Sequence, residues 1–476
     1  MNKALLFTLL LFTTVGFSQS NCSCEDKFKW MKETFEQNDA GFQYVVDKKG
    51  KVEYDRHNEL ILQKIKEAKD DTACIQVLYD WLYFFRKGHI SIRQNIPQNN
   101  QAGAADVVKS DWPLNKTTVG KLKTHLAKLK EPGLEGIWEM NPYTIGIVKN
   151  NKGYEGFIID APGTSWQKGQ VKLKMDADGK NGVLYLRNYS EYKISDSHFT
   201  GNNNLMLDNF SFKRLYPEIQ DLGNIKLFNE LIGSYKPIGK QLSQDTFILR
   251  IPYFDYNQKK IIDSVINANH DKITASKNLI IDVRNNGGGA DRCYEGLIKY
   301  LYTNPIRTVG VEMLSTPLNN LRMEEFLADP DLTEEGKKEI IETQEKLKAN
   351  LGKFTNVNGW SVYTETLDTI YTYPQKVAIL INKNNASTTE QFLLAAKQST
   401  KVKLYGTTTA GMLDVSNMNF VNSPCGNLTL GYCLSKSYRI PDMAIDDIGL
   451  QPDYYIDVSI PDYEWIDFAE KIMNGK

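Results

Sequence analysis

The sequence predicts an α/β protein with an N-terminal helical part, a middle β-rich domain and a C-terminal α/β core. Three textures carry this reading. Between about 25 and 95, apolar residues recur at three- and four-residue spacings, the period of amphipathic helices. Between about 134 and 215, short alternating runs are separated by glycine- and asparagine-rich turns. From about 245 onward, nearly continuous apolar runs alternate with amphipathic stretches, as in a mostly parallel sheet covered by helices.

The elements follow in chain order. The first residues, MNKALLFTLLLFTTVGFSQS, place Lys3 before an apolar stretch from Ala4 to Phe17. Gly16 and Ser18 are the small residues at −3 and −1 of a cut before Gln19. This predicts a signal peptide over 1–18, cleaved near Ser18-Gln19, and an exported (periplasmic or secreted) mature protein. No other run of 18 residues is apolar, so no integral membrane segment is expected after removal of the signal. A helical region is expected over 19–130, with DKFKWMKETFEQND and NELILQKIKEAKDDTACIQVLYDWLYFFRKG as its helices. The second is expected to stop at Gly88, where HISI starts an extended stretch.

A compact antiparallel β domain, a small barrel or sandwich, is expected over 131–225. The core is expected over 235–476, with TFILRIPYF, NLIIDV, KVAILIN and VKLYG as its strands. Between Leu301 and Val377 lies an insertion rich in Glu and Lys, read either as a surface decoration or as a lid over a cleft.

Charge is balanced, with 57 Lys+Arg against 58 Asp+Glu. No basic tail or stripe is present, which argues against a nucleic-acid partner. The six cysteines allow 15 pairings. Cys425 with Cys433 is the favoured pair, because CGNLTLGYC can close a short local loop. No metal site or cofactor is expected, since Cys22-x-Cys24 has no partners at zinc-like spacing.

Two loops leave strand ends of the core, where ligands of open α/β sheets bind. NNGGGAD follows NLIIDV, and Gly287, Gly288 and Gly289 can present bare backbone N–H groups to an anion. The other reading of that run is a tight strand-to-helix turn. Ser387 lies between KVAILIN and the next helix. It is a candidate nucleophile at a helix N-terminus, or the first residue of a capping box closed by Glu390. A nucleophilic serine needs a base. Of five histidines, His89 stands out at the Gly88-His89 corner.

These segments resemble the C-terminal processing (tail-specific) serine peptidases. NLIIDVRNNGGG resembles the strand and glycine loop of that family. VAILINKNNASTTEQFLLAAKQSTKVKLYGTTTAG resembles its nucleophile strand, serine, helix and returning turn, and DDIGLQPDYYI its closing segment. The resemblance covers roughly 245–458, and it implies a ClpP/crotonase-like core. It implies Ser387 as nucleophile, with an oxyanion hole from Gly288 and the N–H of Thr388. The lysine used by the bacterial tail-specific branch is replaced here by Met412. The resemblance therefore points to the tricorn-core-like branch, with His89 as base and Asp446 as the third member, Asp447 being its neighbour. The implied protein is an exported serine endopeptidase acting on peptides or unfolded-protein substrates. The PDZ module of many relatives is not legible in the β-rich stretch. Two other readings remain: a catalytically dead member acting as a peptide- or ligand-binding module, and a crotonase-like acyl-thioester enzyme.

Overall fold

The computed structural model describes residues 22–95, 109, 111–131, 133–208, 210–330 and 332–475. The signal-peptide expectation over 1–18 lies outside the described residues. No helix among them is long and apolar enough to cross a membrane. The chain forms two compact units. Of the described residues, one comprises those of 22–95, 310–361 and 414–442, the other those of 109–309, 362–413 and 443–475.

The first unit combines the N-terminal helices with a five-stranded sheet. Helix Cys24–Asn38 starts at a capping box in which Ser23 and Asp26 satisfy each other's backbone N–H. Asp70 caps helix Asp71–Tyr83 by accepting from Ala73 N at 2.8 Å. That helix ends at Tyr83, short of the expected stop at Gly88; Phe84 beyond it is half-buried and Phe85 buried. Phe85 packs with Phe35 and Trp81 in a core closed by Leu430, Tyr432 and Leu434. The sheet runs Ser91–Gln94, Leu428–Ser437, Val311–Leu314, Phe354–Thr355, with Val415–Asn422 also paired to Leu428–Ser437.

Two expectations change here. The insertion after Leu301 is no mere decoration: it supplies two strands of this sheet and two helices, Pro317–Leu327 and Glu334–Lys348. Residues 310–361 and 414–442 thus leave the contiguous 235–476 block to complete the helical region's core. The expected Cys425–Cys433 pair does not form. Cys22 bonds Cys425 and Cys24 bonds Cys74, while Cys293 and Cys433 are buried and form no disulfide. Cys433 sits inside strand Leu428–Ser437 with no exposure, among core residues rather than at the loop.

The second unit holds two large sheets and a two-stranded one, Ile306–Val309 with Val362–Glu365. Nine antiparallel strands between Gly136 and Tyr216 form one sheet around Trp138, Ile145, Ile147, Leu173 and Phe212. The sequence leads one to expect a small barrel or sandwich here; the strands instead pair as a single sheet with edges at Glu191–Ile194 and Ser197–Thr200. The other large sheet has six strands in the order Ile238–Gln241, Thr246–Arg250, Asn278–Asp282, Lys376–Ile381, Val402–Gly406, Tyr454–Tyr455. All its pairings but the first are parallel. Alternate residues of each central strand enter opposite layers. Leu279 and Ile281 pack with Phe392 on one face, and Ile280 packs with Leu231 and Trp465 on the other. Burial on both faces explains the unbroken apolar runs. It contributes about 1.5–3 kcal/mol per large side chain.

Candidate active site

Strands Asn278–Asp282 and Lys376–Ile381 are paired neighbours, so the loops at their carboxyl ends lie side by side. Asparagines lock the two loops together. Asn285 N donates to Asn382 Oδ1 at 3.0 Å, and Asn382 and Asn384 both donate to Asn285 Oδ1, at 2.8 and 2.9 Å. Asn385 is fully buried and donates to the carbonyls of Val283 and Asn286. The sequence reading passed over these asparagines. Their signal was the paired NN at both strand ends.

Two of the three glycines meet close neighbours and one does not. Gly288 has φ +102°, and a Cβ there would stand 2.8 Å from Ser387 Cβ and 2.9 Å from Thr388 N. Gly289 has φ +145°, and a Cβ would stand 2.2 Å from the Phe254 carbonyl oxygen, with which the turn pairs. Gly287 faces nothing within 4 Å. The glycines thus permit both a turn and a close approach of bare backbone to the serine. Gly288 N–H donates to Asn286 Oδ1 at 3.0 Å. The N–H groups of Gly289 and Thr388 make no hydrogen bond among the described residues. The Thr388 hydroxyl lies 2.9 Å from both the Gly289 carbonyl and Asp291 Oδ1, tying the helix start to the glycine turn.

Ser387 opens helix Thr388–Ala396 with φ 56° and ψ −125°, and its side chain makes no capping hydrogen bond. A positive φ at a serine is a strained conformation of order 1–3 kcal/mol, held only by its surroundings. The hold is visible: Ser387 N–H donates to Met412 O at 2.9 Å, and Ser387 O accepts from Gln391 N at 3.0 Å. The capping-box alternative therefore fails. Glu390, its other half, is fully buried and turned to the loop at 409–412. It accepts from Thr409 Oγ1 (2.5 Å), Gly411 N (2.7 Å) and Met412 N (2.8 Å). Burial raises its carboxyl above the ordinary range; the three hydrogen bonds pull the other way, and the charge of Asp446 adds to the rise.

The closing segment packs on that same loop. Gly411 and Gly449 both have positive φ, and a Cβ on Gly449 would stand 2.3 Å from Thr409 O. Asp446 Oδ1 accepts from Leu413 N at 2.6 Å. Its neighbour Asp447 is exposed, with φ 66°, and joins the loop only through its backbone N–H to Gly411 O. In the second unit Ser387 and Asp446 thus contact the same loop, through Met412 and Leu413, and Gly288 stands against Ser387 and Thr388. Met412 takes part through its backbone.

His89 belongs to the first unit. It has φ 54° and is half-buried. Its Nδ1 lies 2.7 Å from the Val415 carbonyl oxygen, which can only accept, so Nδ1 carries the proton. Nε2 of the neutral ring then holds the lone pair. Its own carbonyl accepts from Arg86 Nη2 at 3.0 Å. Burial lowers its pKa from 6.5, the Arg86 charge lowers it further, and the Val415 bond opposes both. The other histidines have ordinary partners. His125 meets Glu135, His198 meets Asp196, His270 meets the Tyr300 hydroxyl, and His57 stacks on Phe84.

Residues 245–456 match the family model of peptidase family S41. No curated protein matches in sequence. Among solved structures, mature CPAF complexed with lactacystin is 14% identical, with a TM-score of 0.50 over 95% of this chain and 99% of that one. The photosystem II D1 C-terminal processing protease is 13% identical, with a TM-score of 0.37 over 94% of this chain and 96% of that one. The tricorn protease is 11% identical, with a TM-score of 0.41 over 95% of this chain and 37% of that one.

Proposed function

From the premise that the chain belongs to peptidase family S41 and is a serine-type peptidase, we propose that it is an exported endopeptidase. It cleaves peptides or protein tails through Ser387, with His89 as general base and Asp446 as the acid. The single observation that carries the nucleophile is Ser387 itself. It is strained at φ 56°, free of any capping bond, and backed by a glycine whose Cβ would collide with it.

In this reading Ser387 Oγ attacks the scissile carbonyl, and His89 Nε2 takes the serine proton and later returns it to the leaving amine. The Thr388 N–H and the Gly288–Gly289 turn serve the oxyanion. The Gly288 N–H becomes available only if Asn286 yields it. Backbone donors of this kind are worth about 3 kcal/mol each in the transition state. Asp446 fits the acid better than Asp447, because its carboxylate is already engaged on the loop that carries Met412. In the first unit the Val415 carbonyl accepts the Nδ1–H of His89 and fixes the tautomer, which leaves Asp446 the role of stabilising the imidazolium charge that forms. Export is supported by the leader reading and by two disulfides, which persist in oxidising compartments.

The test is Ser387→Ala in a protein that still folds. Cleavage of denatured casein should vanish while the melting temperature barely moves. Retained turnover would overturn the proposal. A second reading, a binding module without chemistry, is favoured by one observation: the Gly288 N–H is held by Asn286. It demands that Ser387 fail to react with any acylating or phosphonylating probe.

A further inference from the structure

His89 sits between two buried Arg–Asp pairs of the first unit. Arg86 meets Asp39 through two bonds, Nη1 to Oδ1 at 2.8 Å and Nη2 to Oδ2 at 2.5 Å, with both side chains essentially without exposure. The same Nη2 donates to the His89 carbonyl at 3.0 Å. Asp39 is itself anchored: Gly41 N donates to Oδ1 at 2.9 Å and Cys433 N to Oδ2 at 3.0 Å. On the other side, Arg439 Nε donates to Asp414 Oδ1 at 2.7 Å, beside the very residue, Val415, whose carbonyl holds the His89 ring. The Cys433 thiol lies 3.4 Å from both the His89 and the Val415 carbonyl oxygens.

A buried ion pair is weak evidence of stability, because desolvation offsets much of its Coulomb gain. What this one does is geometric. A histidine at φ 54° is held there only by its neighbours. The fork of Arg86, fixed by a fully buried carboxylate, grips the carbonyl that defines that conformation. We propose that Arg86, clamped by Asp39, is a positioning residue for His89. It holds the His89 backbone in its left-handed turn, so that Nδ1–H donates to the Val415 carbonyl and Nε2 keeps the lone pair. The proposal rests on His89 being the base. Within this unit the charged groups around His89 are Arg86 and Asp39, with Asp414 and Arg439 behind Val415.

The test uses the full mature chain with ¹⁵N-labelled histidine. In the wild type at neutral pH, the His89 nitrogens should show one neutral tautomer with the proton on Nδ1. An Nε2–H ring, or an averaged mixture, overturns the proposal without any variant. Arg86→Lys keeps the charge but loses the fork. The paired variant Asp39→Asn with Arg86→Gln removes both charges together, so that neither is left unpaired, and it too loses the fork. In both, the tautomer should become mixed. The maximal rate of Ser387 labelling by a fluorophosphonate should fall about 10–100-fold, the size expected of a misplaced catalytic group, with probe affinity unchanged. Folded variants with the wild-type tautomer and rate overturn the proposal. His89→Gln separates the two claims: if it labels at the wild-type rate, the base assignment fails, whatever Arg86 does.

Discussion

A Cβ placed on Gly288 would stand 2.8 Å from the Cβ of Ser387, closer than real side chains approach. The glycine turn and the serine elbow are therefore built against each other. Gly288→Ala combines that clash with φ +102°. It should reduce Ser387 labelling by at least the 10²–10³-fold typical of a lost oxyanion donor. Gly287→Ala, which meets nothing within 4 Å, should cost less than about tenfold, because the donors remain in place. Equal losses in the two variants would show that the run is only a flexible turn.

Glu390→Gln addresses the loop under Ser387. The carboxylate accepts from three donors, and an amide in its place turns an N–H toward at least one of them. Stability should fall by about 1–3 kcal/mol, the cost of a buried donor left unsatisfied. Urea melts measure this. Labelling of Ser387 should slow as well, because the Met412 carbonyl that takes the Ser387 N–H is loosened. An unchanged melt would mean that the loop is held by other contacts.

Non-reducing peptide mapping should recover Cys22 linked to Cys425 and Cys24 linked to Cys74, with Cys293 and Cys433 as thiols that react only after unfolding. Replacing the Cys24–Cys74 pair by serines should cost about 2–5 kcal/mol. A Cys425–Cys433 fragment would contradict the strand assignment of Cys433.

The pH dependence follows from His89. Its pKa is lowered from 6.5 in the folded protein, first by burial and then by Arg86. As the base it works in the neutral form, so the rate should rise with pH through an inflection below 6.5 and then level off. The same sign governs stability. The contribution of the neutral, buried ring is present above the unfolded value of 6.5 and is lost as pH falls through the folded pKa. His89→Gln should flatten the profile and lower the rate about 10²–10⁴-fold. An inflection well above 6.5 would assign the base to another group.

The core strands, the glycine loop and Ser387 were legible in the sequence because burial on both faces and a glycine-rich strand end leave direct marks. Glu390 was not, since the spacing Ser-x-x-Glu is shared by a capping box and by a glutamate turned inward to hold a loop. Periodicity identifies strands without saying which sheet they join, so Val311–Leu314 and Leu428–Ser437 could not be assigned to the helical unit. The Cys22–Cys425 link spans a separation of 403 residues, beyond any local loop argument. Val415 serves His89 through a backbone carbonyl, which has no signature in residue type.

The reactivity of Ser387 tests its role as nucleophile most directly. Mature protein treated with a fluorophosphonate probe, digested and sequenced by mass spectrometry should carry a single adduct, on Ser387. The Ser387→Ala protein, folded to the same melting temperature, should carry none. A wild-type protein that stays unmodified at pH 8, or an adduct that persists in Ser387→Ala, would contradict the assignment of this serine as the nucleophile.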